Sequence, residues 1–391
     1  MKKRTLAIDF PFQRKDAYNA LSMPVYHSAS YEFDDAARMA DAFCGKTDDP
    51  DYSRLTNPTV IYFENKVKAL TGAADVIAVN SGMAAISNAL FSVASAGKNI
   101  VSSRHLFGNS VSLVGETLPR FGVEARLRDL TDLEAVEKAL DGNTCCIFLE
   151  IITNPQLEVA DLEAVCDIAH RHGVPVLADT TVIPFTEFSA KDLGVDVEIV
   201  SSTKYLSVGG TAIGGLVIDY GTLPGFGKTV REEVLRNLGA YMNPDTAFLQ
   251  NLGLETLEIR YKVQAANALY LAKRLRTLPS LRKVNYVGLE DHPNHGLAMR
   301  LYGGTAGAVL TIDLEDEAAC YRFINALKLV RRATNLFDNN TLAIHPYSTI
   351  FGPFPPEKRL EMDVFPTTVR ISVGLEDMDD IFEDIRQAAE K

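Results

Sequence analysis

The chain contains seven short runs that are predicted to be strands, most of them mainly apolar, and amphipathic helical patterns lie between many of them. The runs cover residues 75–80, 99–103, 122–126, 144–150, 175–179, 195–200 and 213–218. Continuous apolar runs of this length are typical of strands that are buried on both faces. Strands that alternate with helices predict an α/β fold with a doubly wound, mainly parallel sheet.

Four polar residues follow or close these runs: Ser81, Asn154, Asp179 and Lys204. In a doubly wound sheet, ligands bind beyond the carboxyl ends of the strands. The four side chains are therefore expected to converge at one edge of the sheet. This convergence predicts a binding site more strongly than any one of the motifs does.

Lys204 follows a cluster of hydroxyl groups at the end of one run. Ser201, Ser202 and Thr203 precede it, and a glycine-rich loop leads to the next run. Two rigid strands would hold the lysine and bury it in part, which lowers its pKa and makes its amine nucleophilic near neutral pH. Such an amine can bond covalently to an aldehyde cofactor. The alternative is a lysine that ends a strand at the surface, where most lysines lie.

Asp179 closes another buried run, with Thr180 and Thr181 directly after it. A carboxylate at the end of a buried strand needs a partner. The ring nitrogen of pyridoxal phosphate would serve, because enzymes that use this cofactor place an aspartate opposite that nitrogen. The alternative is an aspartate that caps the next turn.

Two segments have features of phosphate sites. Ser81, Gly82 and Met83 stand between a strand and a helical pattern, where free backbone N–H groups and the helix dipole attract anions. A plain N-cap at Ser81 is compatible with this interpretation. Tyr52 and Arg54 precede a helical pattern, and an arginine can bind a phosphate with two hydrogen bonds. A surface arginine beside an Asn-Pro turn is the alternative.

Charge and composition exclude several classes of partner. The 391 residues carry a net charge of −12, which disfavours nucleic acid and anionic membranes. No apolar run reaches transmembrane length, and the basic start lacks the apolar core of a signal peptide. Five scattered cysteines indicate neither a disulfide framework nor a zinc or other metal site. A soluble cytoplasmic protein is expected.

The rest of the chain predicts further parts around the sheet. We expect an N-terminal arm over residues 1–55, which in chains of this kind often packs on a neighbouring subunit, and a cofactor-binding domain over 56–250. A long helical stretch over about 243–278, mildly interrupted at Gly253, predicts a helix that bridges two domains. Strands at 308–314 and 369–373 and helices at 317–330 and 379–390 predict a smaller α+β domain, so that 251–391 holds the interdomain helix and a C-terminal domain.

Several motifs occur in one order along nearly the whole chain. They are Tyr52-Ser-Arg-x-x-Asn-Pro-Thr, Ser81-Gly-Met-Ala-Ala, the run from Glu150 to Asn154-Pro, Asp179-x-Thr, Ser201-x-Thr-Lys-Tyr and Arg370-Ile-Ser-Val-Gly-Leu-Glu. Together they resemble the Cys/Met-metabolism family of pyridoxal phosphate enzymes. The runs at 210–215, 243–249, 285–293 and 345–349 are most similar to the O-acetylhomoserine sulfhydrylase branch. The resemblance implies the aspartate-aminotransferase fold, also called fold type I, and pyridoxal 5′-phosphate as cofactor.

The resemblance also implies roles for single residues. Lys204 bonds covalently to the cofactor and moves protons, and Asp179 pairs with the ring nitrogen. The other cofactor-binding residues that it implies are Ser81, Gly82, Met83, Asn154, Thr181, Ser201 and Thr203. Tyr52 and Arg54 reach the phosphate of a neighbouring subunit, so that a homodimer or homotetramer with shared active sites is expected. Arg370 binds the substrate carboxylate, with Thr341 and Asn154 also at the substrate.

Three positions depart from the family pattern. Phe107 stands where the family usually has a tyrosine stacked on the cofactor, so that the aromatic face is kept and the hydroxyl is absent. Asn109 stands where methionine γ-lyases usually have a cysteine, which makes that activity less expected. The run 335–341 replaces a smaller, glycine-containing run near the substrate. The proton transfers that the missing hydroxyl would serve are then expected to rest on Lys204 or on the neighbour's Tyr52.

The resemblance implies an amino-acid substrate and a reaction at its γ-carbon. The preferred interpretation is that a sulfur nucleophile replaces the acyl group of O-acetyl- or O-succinylhomoserine, which would serve homocysteine or methionine synthesis. A γ-lyase that acts on cystathionine or a related thioether is one alternative. The other is a family member that binds the cofactor without catalysis, which the Lys204, Asp179 and Arg370 set argues against.

Overall fold

The computed structural model describes residues 1–11 and 16–391, and in these ranges seven strands form the larger of two sheets. They are β1 (Asp75–Val79), β2 (Asn99–Ser103), β3 (Glu124–Arg128), β4 (Thr144–Glu150), β5 (Val176–Asp179), β6 (Val197–Val200) and β7 (Gly215–Asp219). Their order is β1-β7-β6-β5-β4-β2-β3. β7 is antiparallel to both of its neighbours, and the other pairs are parallel. The predicted mainly parallel sheet is confirmed.

Both faces of this sheet are buried, as the continuous apolar runs predict. In β1, Val76 and Ala78 belong to one hydrophobic cluster, while Ile77 and Val79 belong to the cluster on the opposite face. Alternate side chains of a strand point to opposite faces. A strand between two helical layers is therefore apolar at most positions, as in β1, whereas the edge strand β3 alternates polar and apolar residues and is partly exposed.

Helices cover the sheet and connect its strands. They are α1 (Lys3–Ile8), α2 (Ala36–Phe43), α3 (Ser53–Thr56), α4 (Pro58–Thr71), α5 (Gly82–Val93), α6 (Gly108–Ser112), α7 (Leu133–Ala139), α8 (Leu162–Arg171), α9 (Phe226–Lys228), α10 (Arg236–Leu238), α11 (Pro244–Leu275), α12 (His295–Leu301), α13 (Glu317–Ala326), α14 (Pro356–Glu361) and α15 (Met378–Ala389). Short 3₁₀ turns span Leu118–Phe121, Lys191–Leu193 and Pro346–Ser348, and π-helical segments span Leu113–Thr117 and Thr229–Leu235.

A smaller sheet of five strands follows in the last third of the chain. Its strands are β8 (Lys283–Asn285), β9 (Val309–Asp313), β10 (Arg331–Arg332), β11 (Leu342–Ile344) and β12 (Thr368–Ser372), in the order β10-β11-β12-β9-β8. The long helix α11 packs against α4 beside the larger sheet and against β8, β9 and α15 beside the smaller one. It therefore contacts elements beside both sheets.

Gly253 does not interrupt α11, although a glycine usually weakens a helix interior. A Cβ atom at this position would collide with the backbone carbonyl of Leu206, two residues after Lys204. The glycine therefore lets the helix approach the loop that carries Lys204. The position predicted to interrupt the helix is therefore the place where its backbone approaches the backbone of Leu206.

Two segments differ from the pattern in the sequence. The helix predicted over 317–330 ends at Ala326, because the carboxylate of Asp384 accepts the backbone N–H groups of Lys328, Leu329 and Val330 and holds them in a turn. The first 50 residues show little periodicity but contain α1 and α2. Residues 12–15, which belong to the predicted N-terminal arm, lie outside the described residues.

No helix in residues 1–11 or 16–391 is both long enough and apolar enough to cross a membrane. The same part of the chain contains no group of three or more histidine, cysteine or acidic side chains arranged to hold a metal ion.

A buried histidine joins segments that are far apart in the chain. His105 lies just after β2, and its ring contacts Glu158 through Nδ1 at 3.2 Å and Asp363 through Nε2 at 2.8 Å. Burial lowers the pKa of His105 and the charge of Arg104 opposes protonation, but the bonds to the two carboxylates outweigh both and leave the pKa raised. The protonated ring can therefore bind both carboxylates at once.

This contact predicts a pH-dependent contribution to stability. A raised histidine pKa stabilises the fold fully below the unfolded value of 6.5, and the contribution is lost as the pH rises through the folded value. Replacing His105 with asparagine should lower the free energy of unfolding by about 1–2 kcal/mol below that pH, because hydrogen bonds to charged groups are lost and Asp363 is partly screened by solvent. Urea unfolding from about pH 6 to pH 9 should show the difference shrinking with pH. A constant difference would contradict the charged contact.

Candidate active site

Lys204 lies in the turn that follows β6, at the carboxyl edge of the larger sheet. Its Nζ donates a hydrogen bond to Asn335 Oδ1 at 2.8 Å. Burial, with a smaller effect from the charge of Arg370, lowers the pKa of Lys204 to about 8, although Asp179 and Asp338 oppose the shift. About a tenth of the amine is therefore uncharged at pH 7, and this uncharged form is the one that a nucleophile or a proton acceptor requires.

Asp179 ends β5, the strand beside β6. Its Oδ1 accepts the backbone N–H of Thr181 at 2.9 Å, and the hydroxyl of Thr181 accepts the N–H of Ser201 at 2.8 Å. Burial raises the pKa of Asp179, while the bonds from Thr181 and the charge of Lys204 act against this rise. Thr181 thus links the aspartate to the turn that holds the lysine.

A helix N-terminus faces the same turn. Ser81 caps α5 by accepting the N–H of Ala84 at 3.0 Å, and the first N–H groups of a helix have no partner within it. A Cβ atom at Gly82 would lie 2.6 Å from both Cβ and Oγ of Ser201, so that only glycine allows this approach. The hydroxyl of Ser201 makes no hydrogen bond to the described residues.

The N-terminus of α5 and Ser201 together form the phosphate cradle. The other two residues predicted to bind the phosphate, Met83 and Thr203, flank it. Met83 is the second residue of α5 and is partly exposed. The hydroxyl of Thr203 both donates to the carbonyl of Gly214 at 3.1 Å and accepts its N–H at 3.0 Å, which closes the loop between β6 and β7. This hydroxyl already has partners, whereas that of Ser201 is free.

Arg370 lies on β12 of the smaller sheet and is only 1% exposed. Its Nη1 donates to Asn154 Oδ1 at 3.2 Å, and its Nη2 donates to the carbonyls of Thr334 and Asn335 at 3.1 and 3.2 Å. Nε has no hydrogen-bond partner in the part of the chain that the structure describes. Burial lowers the pKa of Arg370 to about 9. A buried guanidinium without a carboxylate partner is suited to bind an anion.

Within residues 1–11 and 16–391, Tyr52 and Arg54 form no hydrogen bond or ion pair with this cluster. Tyr52 is 43% exposed, and the guanidinium of Arg54 lies 5.5 Å from the centre of its ring. Arg54 also donates to the backbone carbonyl of Arg236 in α10. Their assigned role at a neighbouring subunit's cofactor stays a prediction.

Thr341 is also separate from the lysine in its contacts. It is fully buried, its hydroxyl donates to Glu376 Oε2 at 2.8 Å, and the same hydroxyl accepts the N–H of Gly374 at 3.0 Å. These bonds hold the loop after β12, and a role at the substrate stays a prediction.

Phe107 borders a cavity of about 610 Å³ together with Asn109, Thr334 and Ile344. Thr334 also binds Arg370, and Ile344 is paired with Arg370 across β11 and β12. The cavity therefore lies next to two residues that contact or pair with the arginine, and Phe107 forms part of its wall. Its size is sufficient for a small organic substrate.

The divergent run 335–341 contributes residues that the motifs did not reveal. Asn335 contacts both Lys204 and Arg370, and Asp338 adds its charge near the lysine. Phe337 has φ 57°, a conformation that favours glycine, and its ring stacks on Tyr205 at 3.9 Å. The departure of this run from the family pattern was the signal that could have directed attention to Asn335.

Taken together, the side chains fit pyridoxal phosphate. A partly buried amine with a lowered pKa, a carboxylate on the next strand, a cradle that excludes a Cβ atom and an arginine with an unpaired N–H are the groups that such a cofactor and its amino-acid substrate need.

Comparisons with known proteins agree with this fit. The profile of a family described as Cys/Met metabolism PLP-dependent enzymes matches residues 4–390. A protein named O-succinylhomoserine sulfhydrylase from Pseudomonas aeruginosa is 38% identical over 376 residues, 95% of this chain and 92% of its own length. A protein named L-methionine gamma-lyase from Fusobacterium nucleatum is 36% identical over 381 residues, 96% of this chain and 95% of its own length.

A solved structure from Campylobacter jejuni superposes with a TM-score of 0.96 at 33% identity and covers 100% of both chains. It is assigned as an O-acetylhomoserine (thiol)-lyase and carries N′-pyridoxyl-lysine-5′-monophosphate at its position 205.

Proposed function

This chain belongs to the Cys/Met-metabolism family of pyridoxal phosphate-dependent enzymes, and we propose that it replaces the acyl group of an O-acylated homoserine with a sulfur nucleophile. The observation that carries the proposal is the network in which Asn335 joins Lys204 to Arg370. This network holds the amine of Lys204, which would transfer protons, beside the guanidinium of Arg370, which is suited to bind the carboxylate of an amino acid. Relatives named for O-acetyl- and O-succinylhomoserine support the choice of substrate.

Named residues would hold the cofactor in this proposal. Lys204 would bind its aldehyde and Asp179 would lie opposite its ring nitrogen. The N–H groups of Gly82 and Met83 and the hydroxyl of Ser201 would bind its phosphate, with Ser81 and Thr203 shaping the cradle, Thr181 orienting Asp179 and Asn154 near the ring hydroxyl. When bound, pyridoxal phosphate supplies a ring that accepts electrons from the carbon atoms of an amino acid.

The chain's own residues would then position the substrate and move protons. Arg370 would bind the substrate carboxylate through its free Nε and hold it in a fixed direction. Lys204, with a pKa of about 8, exists in both protonation states near neutral pH and would take protons from and return them to the substrate carbon atoms. The cavity beside Phe107 would receive the acyl group and then the sulfur nucleophile.

The proposal also covers the domains of the chain, its location in the cell and its oligomeric state. We propose an N-terminal arm over residues 1–55, a cofactor-binding domain over 56–250 and a C-terminal portion over 251–391. The net charge of −12 disfavours nucleic-acid and anionic-membrane partners, and the five scattered cysteines support a cytoplasmic location. The exposed ring of Tyr52, with the half-buried Arg54 beside it, supports a homodimer or homotetramer in which each subunit completes its neighbour's site.

Mixed oligomers test the shared site. The variants Arg54→Ala and Lys204→Ala should each be nearly inactive alone. Random mixing should restore activity at about a quarter of the sites of a symmetric dimer, because half of the dimers are mixed and each has one intact site. Mass spectrometry should verify subunit exchange, and verified exchange without recovered activity would place Arg54 outside the neighbour's site.

Phe107 distinguishes replacement from elimination. A tyrosine hydroxyl near the leaving group would assist a poor leaving group such as a thiolate, and general acid catalysis contributes about 10²–10⁴-fold. A carboxylate leaves without that help. Phe107→Tyr should therefore gain mainly on cystathionine and little on O-acetylhomoserine with sulfide, as steady-state rates would show. A wild type that already prefers cystathionine would replace the proposed reaction with a γ-lyase.

A substrate screen tests the proposed function itself. O-acetyl- and O-succinylhomoserine are incubated with the cofactor-loaded protein, with and without sulfide or methanethiol, and products are read by mass spectrometry. Homocysteine or methionine that appears only with the nucleophile supports replacement. Ketoacid without added thiol indicates a lyase, and unchanged ester indicates a cofactor-binding protein without this activity.

A further inference from the structure

Glu150 is a buried acid that the proposed reaction does not use. It ends β4 directly opposite Asp179 on β5, and it is only 7% exposed. Paired residues of neighbouring strands lie about 5 Å apart with their side chains on the same face of the sheet. Two carboxyl groups therefore share one small, partly dehydrated region.

The contacts of the two acids differ. Glu150 accepts the backbone N–H of Phe107 at 2.6 Å, and within the described residues it has no cationic partner. Asp179 receives hydrogen bonds from Thr181 and the attraction of the Lys204 amine. Two like charges at this distance cannot both persist in a buried place, so that the acid with weaker support keeps its proton.

The pKa shifts of the two acids also indicate that Glu150, and not Asp179, is the one that keeps its proton. Burial, and to a lesser extent the charge of Asp179, raises the pKa of Glu150 well above its ordinary value, although the bond from the N–H of Phe107 acts against this rise. Burial also raises the pKa of Asp179, but Thr181 and Lys204 counteract that rise. Glu198, another buried carboxylate, lies on β6 beyond Asp179, where the hydroxyls of Thr180 and Tyr220 bond to it.

We propose that Glu150 is a neutral positioning residue, whose protonated carboxyl group holds the backbone of Phe107 and leaves Asp179 as the single anion of the pair. The bond fixes Phe107 at the start of α6, and with it the ring that walls the cavity. This role rests on the proposed function, in which Asp179 would supply one negative charge at the ring nitrogen of the cofactor and Phe107 would place one aromatic face beside the ring. The charge state of Glu150 itself can be measured without any turnover.

The first test is thermal unfolding of wild type and Glu150→Gln between about pH 5 and pH 8. If folded Glu150 is neutral, the folded state binds one proton more than the unfolded state above the ordinary value of 4.5, so that wild-type stability falls as pH rises. The glutamine variant lacks this loss, and its Tm relative to wild type should increase with pH. Glu290→Gln, at an exposed glutamate, is the control and should show a constant difference. A constant or falling difference for Glu150→Gln would overturn the proposal.

Infrared spectroscopy gives a direct measurement. The difference between wild type and Glu150→Gln at neutral pH should contain the carbonyl band of a protonated carboxylic acid, and a carboxylate band in its place would overturn the proposal. Glu150→Ala removes the acceptor for Phe107 and should weaken pyridoxal phosphate binding by up to about tenfold, whereas Glu150→Gln retains it. Equal binding by both variants would contradict the positioning role.

These readouts separate the two proposals. A protein that shows the acid band and converts no homoserine ester would disprove the proposed function and support the neutral Glu150. A protein that converts the esters and shows only a carboxylate band would support the proposed function and disprove the neutral Glu150.

Discussion

The variant Lys204→Ala should lose covalent attachment of pyridoxal phosphate and reduce turnover by more than about 10²–10⁴-fold, the contribution of general acid–base catalysis alone. The amine lies beside Asn335 and Arg370, and burial holds its pKa at about 8. Alanine supplies neither a nucleophile nor a proton carrier. The phosphate cradle at Gly82 and Ser201 remains, so that the variant should still bind free cofactor.

Borohydride reduction and peptide mapping measure the attachment. In the wild type, pyridoxyl phosphate should label Lys204. Lys66 is the internal control, because it is fully buried and burial lowers its pKa as well, but its amine is held by Asn251 and Glu255. Labelling of Lys66, or retained turnover in Lys204→Ala, would end the assignment of Lys204.

The variant Arg370→Lys should lower kcat/KM for the homoserine ester by about 30- to 4000-fold, which corresponds to the 2–5 kcal/mol that loss of one partner from a buried charge pair costs. A guanidinium can serve Asn154, two backbone carbonyls and a carboxylate from one plane. An ammonium group has three donors at one point and cannot reach them all.

Cofactor affinity separates binding of the substrate from damage to the fold. The visible absorbance of the bound cofactor should be retained in Arg370→Lys, since the phosphate cradle and Asp179 lie on other elements. Arg331→Lys, at an exposed arginine of β10, is the matched control and should behave as wild type. An unchanged kcat/KM in Arg370→Lys would show that the substrate carboxylate binds elsewhere.

Local sequence predicts the larger sheet and part of the candidate site because both depend on short-range patterns. The run before Lys204 is β-branched and apolar apart from Asp196 and Glu198, which favours a buried strand, and parallel strands bring Asp179 and Lys204 to one edge. The end of α13 could not be predicted in this way. It depends on the carboxylate of Asp384, whose bonds to Lys328, Leu329 and Val330 are visible only once the chain is folded.

The partners of the site residues were also beyond local patterns. The resemblance marks Lys204 and Arg370, but only packing brings Asn335 between them. The pairing of Glu150 with Asp179 depends on the register between β4 and β5, which a sequence does not state. Roles that involve Tyr52 and Arg54 need a neighbouring subunit and stay predictions.

The position of β7 has a consequence for the order in which the protein folds. β1 pairs with β7, although these are the first and last strands of the larger sheet along the chain. Ser81 and Gly82 follow β1, and the turn with Ser201 lies just before β7. During synthesis, the two halves of the phosphate cradle therefore stay apart until nearly the whole sheet has left the ribosome, and such distant pairings form slowly. Capture of pyridoxal phosphate therefore has to wait until β7 has been made, and a nascent chain that has not reached β7 has no complete cradle to offer it.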